Sequence, residues 1–362
     1  MVRFRTAPKT EEIYRLLKGE IESGKYAACG VLPPEPVLSE RLGVSRKTLR
    51  SALLRLEMEN IVERIRGKGT FVSSKEGDKK ILVIVGDIED ITNPGRYILP
   101  GIQQEAAAAG YTVETCTEYS LGLASCGSIS EVVRRKNYCG VLSFSANYCG
   151  TEPTIEILKK TGLPVLLVHA FEKDAGVTGF SVMGTNYHQV FLDGLIYLAR
   201  LGHRRVSYLS FNERRISSED YFELLKQVGL DTDPALRGRI SSYNDEKIII
   251  REIADFFDSL KELPTAVFCF SDFFAVCLYK YLQQKNIRIP DDIAVLSIGG
   301  LIGCDFLSPP LSAVDFDCLE IGRRAVRTLL EMNIRNITNL PFTETPHHIA
   351  ERESTRKRRS NK

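Results

Sequence analysis

Six short aliphatic runs punctuate the last three quarters of the sequence: ILVIV (81–85), GVLSF (140–144), LPVLLV (163–168), RVSYLS (205–210), TAVFCF (265–270) and AVLSIG (294–299). They are separated by helical stretches such as LPGIQQEAAAAG (99–110) and YHQVFLDGLIYLARLG (187–202). Strands that alternate with helices pair in parallel, because each connection must travel back across the sheet before the next strand begins. The pattern predicts the α/β class, with parallel sheets flanked by helices. In open sheets of this type ligands sit at the carboxyl ends of the strands. The segment after the first run, VGDIEDITNPG, lacks the glycine spacing of a dinucleotide fingerprint.

A chain of 362 residues is too long for one ordinary core and implies two or three domains. Hydrophobic content of 43% and charged content of 26% fit a soluble globular protein. The net charge of +2 is unevenly spread. Residues 1–75 hold 15 Lys and Arg against 9 Glu and no Asp, so that segment carries +6 and the remainder −4. A basic module joined to a near-neutral one points to a polyanionic partner for the first. MVRFRTAPKT has no apolar core, which predicts the absence of a signal peptide, and ILVIV is far too short to span a bilayer. The nine cysteines are scattered without a CxxC pair and read as reduced core residues, neither disulfides nor zinc ligands. The expected compartment is a bacterial-type cytoplasm.

Within the basic segment, Thr10 can cap a first helix carrying Glu11 and Glu12 in its first turn, with Ile13, Leu16, Leu17 and Ile21 at helical spacing. LPPEP then opens a short second helix bearing Leu38 and Leu42. Gly43 suits the residue past a helix end, and Ser45 suits the cap of the next helix. Two helices joined by so short a turn form a helix-turn-helix. In the third helix Leu49, Leu53 and Leu56 point inward while Arg46, Lys47 and Arg50 fall on another face near the N-terminus, the part that enters a major groove. Arg pairs with guanine, and Ser45 and Thr48 can reach phosphates beside the free amides of the helix start. IVERIRGKGTFVS then alternates around a basic glycine tip, as a hairpin wing whose Lys68 can lie along the DNA backbone. Its GKGT lacks the upstream glycine of a phosphate loop.

The whole stretch GVLPPEPVLSERLGVSRKTLRSALLRLEMENIVERIRGKGTFV resembles the GntR-family winged helix-turn-helix. The resemblance implies operator contacts from Ser45, Arg46, Lys47, Thr48, Arg50, Arg66, Gly67 and Lys68. One departure stands out. Many members carry a DNA-contacting Arg directly after the glutamate of this opening, and here that position is Pro36.

SSKEGDKK reads as a linker. The expected domains are a DNA-binding module at 1–74, a linker at 75–80, an α/β domain at 81–356 and a basic tail at 357–362. The α/β segment resembles the effector domain of LacI-family regulators, related to periplasmic sugar-binding proteins. The resemblance rests on NPGRYILPGIQQEAAAAGYTV, LIYLARLGHRRVSYLS, PTAVFCFSDFFAVCLYKYLQQKNIRIPDDIAVLSIGG, LSPPLSAV and ERESTR, in family order. It implies two lobes around a cleft, with three chain crossings between them. The combination of modules resembles AraR-type regulators. Residue by residue, Asp272 matches a family aspartate that accepts hydrogen bonds from effector hydroxyls; capping the following helix is the competing role. Asn93, Pro94, Tyr97, Phe144, Asn147 and His169 match positions at the cleft mouth, where turn chemistry and packing compete as explanations. The family's effector-clamping Arg is absent: its register gives Ser217, with Asp220 and Tyr221 in place of the Gly-Phe pair. Arg215 or Arg214 is the substitute from a shifted loop. Gly299 stands where the family has an aspartate.

His203 reads as structural, and His347 and His348 lack further ligands for zinc. The tail beyond about Thr355 reads as a solvated basic segment. The expected function is a sequence-specific DNA-binding regulator, by first choice a repressor, acting as a homodimer and controlled by a sugar in the cleft, with no cofactor. A solute receptor on the same two-lobed fold is the alternative. An enzyme is disfavoured, since no GxSxG elbow, metal cluster or phosphate loop occurs.

Overall fold

A computed structural model describes residues 8–23, 25–26, 31–59, 61–65, 69–72, 79–86, 93–117, 137–211, 213, 215–301 and 303–356. The chain divides into two compact units, Met1–Lys80 with Ser125–Tyr138, and Ile81–Ala124 with Cys139–Lys362. The expected wing-tip contacts Arg66, Gly67 and Lys68 lie outside the described residues, as do Arg214 and the basic tail.

In the first unit, helices α1 (Pro8–Glu22), α2 (Glu35–Arg41) and α3 (Arg46–Met58) precede the antiparallel strands β1 (Val62–Ile65) and β2 (Gly69–Val72). Helix α1 begins three residues earlier than expected, and Thr10 is buried in its first turn instead of capping it. Between α2 and α3 the chain reverses through Gly43, whose φ of +60° is a conformation that costs a residue with a Cβ. The Ser45 hydroxyl caps α3 by accepting from the Thr48 amide at 3.2 Å. Leu17, Leu38, Leu49, Leu53 and Leu56 are each at most 1% exposed and form the core of this unit. The apolar stripe of α3 therefore faces inward, leaving its basic residues outside.

The second unit contains two six-stranded sheets. The first holds β3 (Lys80–Val85), β4 (Thr112–Thr117), β5 (Tyr138–Ser143), β6 (Val165–Val168), β7 (Ser181–Gly184) and β13 (Thr343–Glu344), in the order β13-β7-β6-β5-β3-β4. The second holds β8 (Val206–Ser210), β9 (Arg237–Arg239), β10 (Ala266–Cys269), β11 (Ala294–Gly299), β12 (Ser312–Asp315) and β14 (His348–Ala350), in the order β14-β12-β11-β10-β8-β9. Pairing in the second sheet is parallel except for β14 against β12. Each of the six aliphatic runs contains a strand. The strands without such a run, among them β4, β9, β13 and β14, are short or polar and lie toward the sheet edges.

Sheet membership changes three times along the chain, after β7, after β12 and after β13, so the lobes are joined by three crossings. Two crossings lie side by side: the Thr185 and Thr345 hydroxyls are 3.1 Å apart, and the Thr345 amide donates to Gly184 O at 2.7 Å.

In the first lobe, helix α4 (Gly95–Ala108) packs against α11 (Cys318–Arg335) at backbone contact. A Cβ placed on Gly101 would stand 2.1 Å from Leu319 O, and one on Gly322 would stand 2.3 Å from Ile98 O. Neither clash can be relieved by a rotamer, since the obstructing atoms are main chain. Gly101→Ala is expected to push the helices apart and cost about 1–3 kcal/mol. Urea unfolding of the full chain measures this, and an unchanged midpoint would contradict the close packing.

Candidate functional site

Helix α3 places Arg46, Lys47 and Arg50 in solvent opposite its buried leucines. Arg46 and Arg50 are four residues apart and share a stripe, with Lys47 beside it. The amides of the first turn have no intrahelical acceptor, and Ser45 satisfies that of Thr48. The Ser45 and Thr48 hydroxyls also bond each other at 2.9 Å. The side chains of Arg46 and Lys47 have no hydrogen-bond partner among the described residues. Arg50 does: its Nε donates to Glu35 Oε2 at 2.7 Å, and the other Glu35 oxygen accepts from the guanidinium of Arg64 on β1. Burial pushes the Glu35 carboxyl up, but bonds to Arg50 and Arg64 outweigh it and hold the carboxyl below its usual range. Sequence reasoning identified Arg50 and overlooked Glu35. Its only signal was an acidic residue in a segment otherwise suited to a polyanion.

In the second unit the expected cleft residues separate into two groups. Tyr97 of α4 and Asp272 line one cavity of about 170 Å³ between the lobes, together with Phe273, Leu301, Cys304 and Leu311. Asp272 opens helix α10 (Asp272–Gln284), but Ser271 is its cap, accepting from the Phe274 amide at 3.3 Å. The capping alternative for Asp272 therefore fails. Its carboxylate instead accepts from the Ser297 hydroxyl at 2.5 Å and the Leu301 amide at 2.7 Å, closing the loop after β11. Burial raises its pKa, the bonds from Ser297, Leu301 and Gly300 oppose this, and nearby Asp315 adds to the rise.

The second group surrounds His169, which follows β6 in the left-handed region at φ +60°. Its ring stacks at a tilt on Phe316, with centroids 5.5 Å apart, and its Nε2 is 3.5 Å from the Tyr187 hydroxyl. The Arg215 guanidinium lies 3.9 Å from the Phe270 ring and 5.1 Å from Tyr187, and donates to Phe270 O. Sequence reading took Phe270 only as part of an apolar run and did not single out Tyr187 or Phe316. An aromatic position in sequence carries no mark of which partners its ring will meet.

Other expected residues serve local structure. Asn93 Oδ1 accepts from the Gly95 amide at 2.9 Å, and Phe144 packs beside Gly95, whose added Cβ would stand 3.1 Å from the ring. Asn147, at φ +64°, donates its amide to Asp174 and accepts from Lys173 Nζ at 2.8 Å. Ser217 caps helix α8 (Ser218–Val228) and donates to Asp220, while Tyr221 is buried. His203 is buried with Nδ1 3.0 Å from the Thr265 hydroxyl, and His347 Nε2 meets Asp193 at 2.9 Å. No group of three His, Cys, Asp or Glu among the described residues is placed to hold a metal. Among them no helix is long and apolar enough to cross a membrane.

Residues 9–72 match the model of bacterial regulatory proteins of the gntR family, and residues 195–355 match that of the periplasmic binding protein-like domain. The chain is 23% identical over 198 residues to the NTD biosynthesis operon regulator NtdR of Bacillus subtilis (strain 168), a match spanning 53% of this chain and only 58% of that regulator's length. It is also 23% identical over 340 residues to the arabinose metabolism transcriptional repressor of Geobacillus stearothermophilus, covering 91% of this chain and 92% of the repressor. Among solved structures, a LacI family transcriptional regulator from Enterococcus faecium with bound ribose superposes with a TM-score of 0.59 at 19% identity, covering 76% of this chain and 98% of that one. At that identity the likeness establishes the fold alone.

Burial, and then the positive charge of Arg215, lower the His169 pKa from 6.5 to about 4. The folded protein thus resists a proton that the unfolded chain accepts. The stability tied to the neutral ring is present above pH 6.5 and is lost as pH falls toward 4. Between pH 7.5 and 5 this group alone is expected to cost about 2 kcal/mol. Urea unfolding at both pH values should show a smaller difference for His169→Gln than for the wild type; equal differences would refute the assignment.

Proposed function

We propose that this chain, which joins a gntR-family helix-turn-helix domain to a periplasmic-binding-protein-like domain, is a transcriptional repressor controlled by a small molecule. The carrying observation is the capped helix α3, whose Arg46, Lys47 and Arg50 are exposed while its leucines are buried. An exposed basic face at the start of the second helix of a helix-turn-helix is placed to read base edges, and the positive charge of residues 1–75 supplies attraction to phosphates. The wing residues Arg66, Gly67 and Lys68 extend the contact along the backbone in this reading.

The small molecule binds between the lobes. A sugar is the leading class, supported by the arabinose-metabolism relative and the ribose-bound structural neighbour. Tyr97, Asp272, His169 and Arg215 are the assigned contacts, with Asn93, Phe144 and Asn147 shaping the rim. The protein works as a homodimer in the cytoplasm, without catalysis, cofactor or membrane attachment. One winged module offers few base contacts, whereas two read paired half-sites, and closure of the lobes changes the spacing of the pair. Ligand and operator then bias the same dimer geometry.

A duplex enriched by the full-length protein from a random-sequence pool serves as operator probe. Replacing both Arg46 and Arg50 by Ala is expected to cost about 1–3 kcal/mol per lost guanine pair. Lys68→Ala should weaken binding to all sequences and flatten its salt dependence. Fluorescence anisotropy titrations decide both. Unchanged affinity in the double variant would remove α3 as the reading element.

For the cleft, a panel of pentoses and hexoses should contain a sugar that raises the melting temperature and alters operator affinity. Asp272→Ala should abolish that response while ligand-free operator binding persists. A full ligand-dependent shift in the variant would exclude Asp272 as a contact.

A further inference from the structure

We infer that Glu35 is a positioning residue for DNA reading, presenting the terminal fork of Arg50 to a base. This rests on the reading of α3 as the element that enters the groove.

A guanidinium carries five N–H groups in a rigid plane. Glu35 Oε2 holds Arg50 through Nε at 2.7 Å, while the two terminal nitrogens of Arg50 make no hydrogen bond among the described residues. That pair of terminal nitrogens is one edge a guanine can accept from with O6 and N7. Exposure follows the same division: the Arg50 side chain is 63% exposed, that of Glu35 only 21%. The anchor is set into the surface and the head is left in solvent.

Glu35 is itself held. It stands between Pro34 and Pro36 at the start of α2, where proline fixes the adjoining backbone. A carboxylate also suits the positive end of a helix. Its second oxygen takes Arg64 of β1. One carboxylate thus bridges two cations, one on α3 and one on the first strand of the hairpin, and sets them relative to each other. Without it the like charges of Arg50 and Arg64 repel, and Arg50 regains its rotamer freedom.

The placement runs against simple electrostatics. A carboxylate on a DNA-facing surface repels phosphates, so removing it should tighten binding to every sequence. A positioning role predicts that specific binding weakens instead. Full-length wild type, Glu35→Gln, Arg50→Ala and the double variant are titrated with the pool-enriched duplex and with a scrambled duplex. Glu35→Gln is expected to lose about tenfold in affinity for the enriched duplex, the scale of one base contact. Affinity for the scrambled duplex should hold or rise. The double variant should be no weaker than Arg50→Ala alone, because positioning has no object once the arginine is gone.

Losses that add in the double variant, or equal losses on both duplexes, overturn the inference. If Glu35→Gln fails to fold by circular dichroism, Glu35→Asp keeps the charge but shortens the reach, and the same comparison with Arg50→Ala decides. If the wild type enriches no sequence, the DNA-reading function itself fails and takes this inference with it. Discrimination by the wild type that Glu35→Gln retains in full removes Glu35 alone.

Discussion

Parallel pairing is the constraint on which the second unit depends. A parallel strand cannot return through a tight turn, so each connection climbs over a face of the sheet, most often as a helix. The sheets are consequently covered and their central strands are inaccessible: β6, β7, β8, β10 and β11 are buried at every position, with small serines among their apolar side chains. The larger polar side chains are displaced to the strand ends. His169 follows β6, Asp272 follows β10 by three residues, and Gly299 ends β11. All are loop or terminal positions at carboxyl ends, where backbone groups are no longer consumed by the ladder and can serve a ligand or one another.

The crossings add a second condition. The chain changes sheet three times, and two of the segments between the lobes lie side by side. Thr185, Thr345 and Gly184 hold two of them with direct hydrogen bonds. Phe316 on the third packs against both His169 and Tyr187, the latter at the start of helix α7 (Tyr187–Arg200). A change in the angle between lobes must therefore be absorbed beside His169 and Tyr187. In the proposed reading, a ligand between the lobes would couple to their geometry at these residues, through differential contacts in the two arrangements.

What could be read from the sequence follows the same physics. Aliphatic runs announce central strands because burial on both faces leaves no alternation to disguise them. The edge strands β9, RGR, and β13, TE, carry no such signal; their neighbours define them. Helix α3 was legible from its leucine spacing, and Ser45 from capping chemistry. Cleft residues were less so, because identity does not fix where a side chain spends its hydrogen bonds. Asn93 and Asn147 are turn residues in the structure, and the Arg50–Glu35 pair joins positions 15 apart that no helical spacing relates. The wing-tip residues Arg66, Gly67 and Lys68 fall outside the described residues, so the hairpin pattern and the resemblance remain their support.

The departure at Gly299 and the environment of Asp272 are linked in the structure. Gly299 adopts φ +145°, which a residue with a side chain rarely takes. A Cβ there would stand 2.7 Å from Asp272 Oδ2. The Asp272 carboxylate therefore occupies the space that a side chain at position 299 would need, and the loop can wrap it only because the glycine lacks one. Gly300 repeats the arrangement on the other side, where an added Cβ would stand 2.3 Å from Asp315 Cγ. The amide of Leu301 and the hydroxyl of Ser297 both donate to Asp272. In the proposed reading, a ligand hydroxyl would compete with these two intramolecular donors or use the carboxylate's remaining lone pairs. A loop held by such bonds is the element whose rearrangement would report that the cleft is filled.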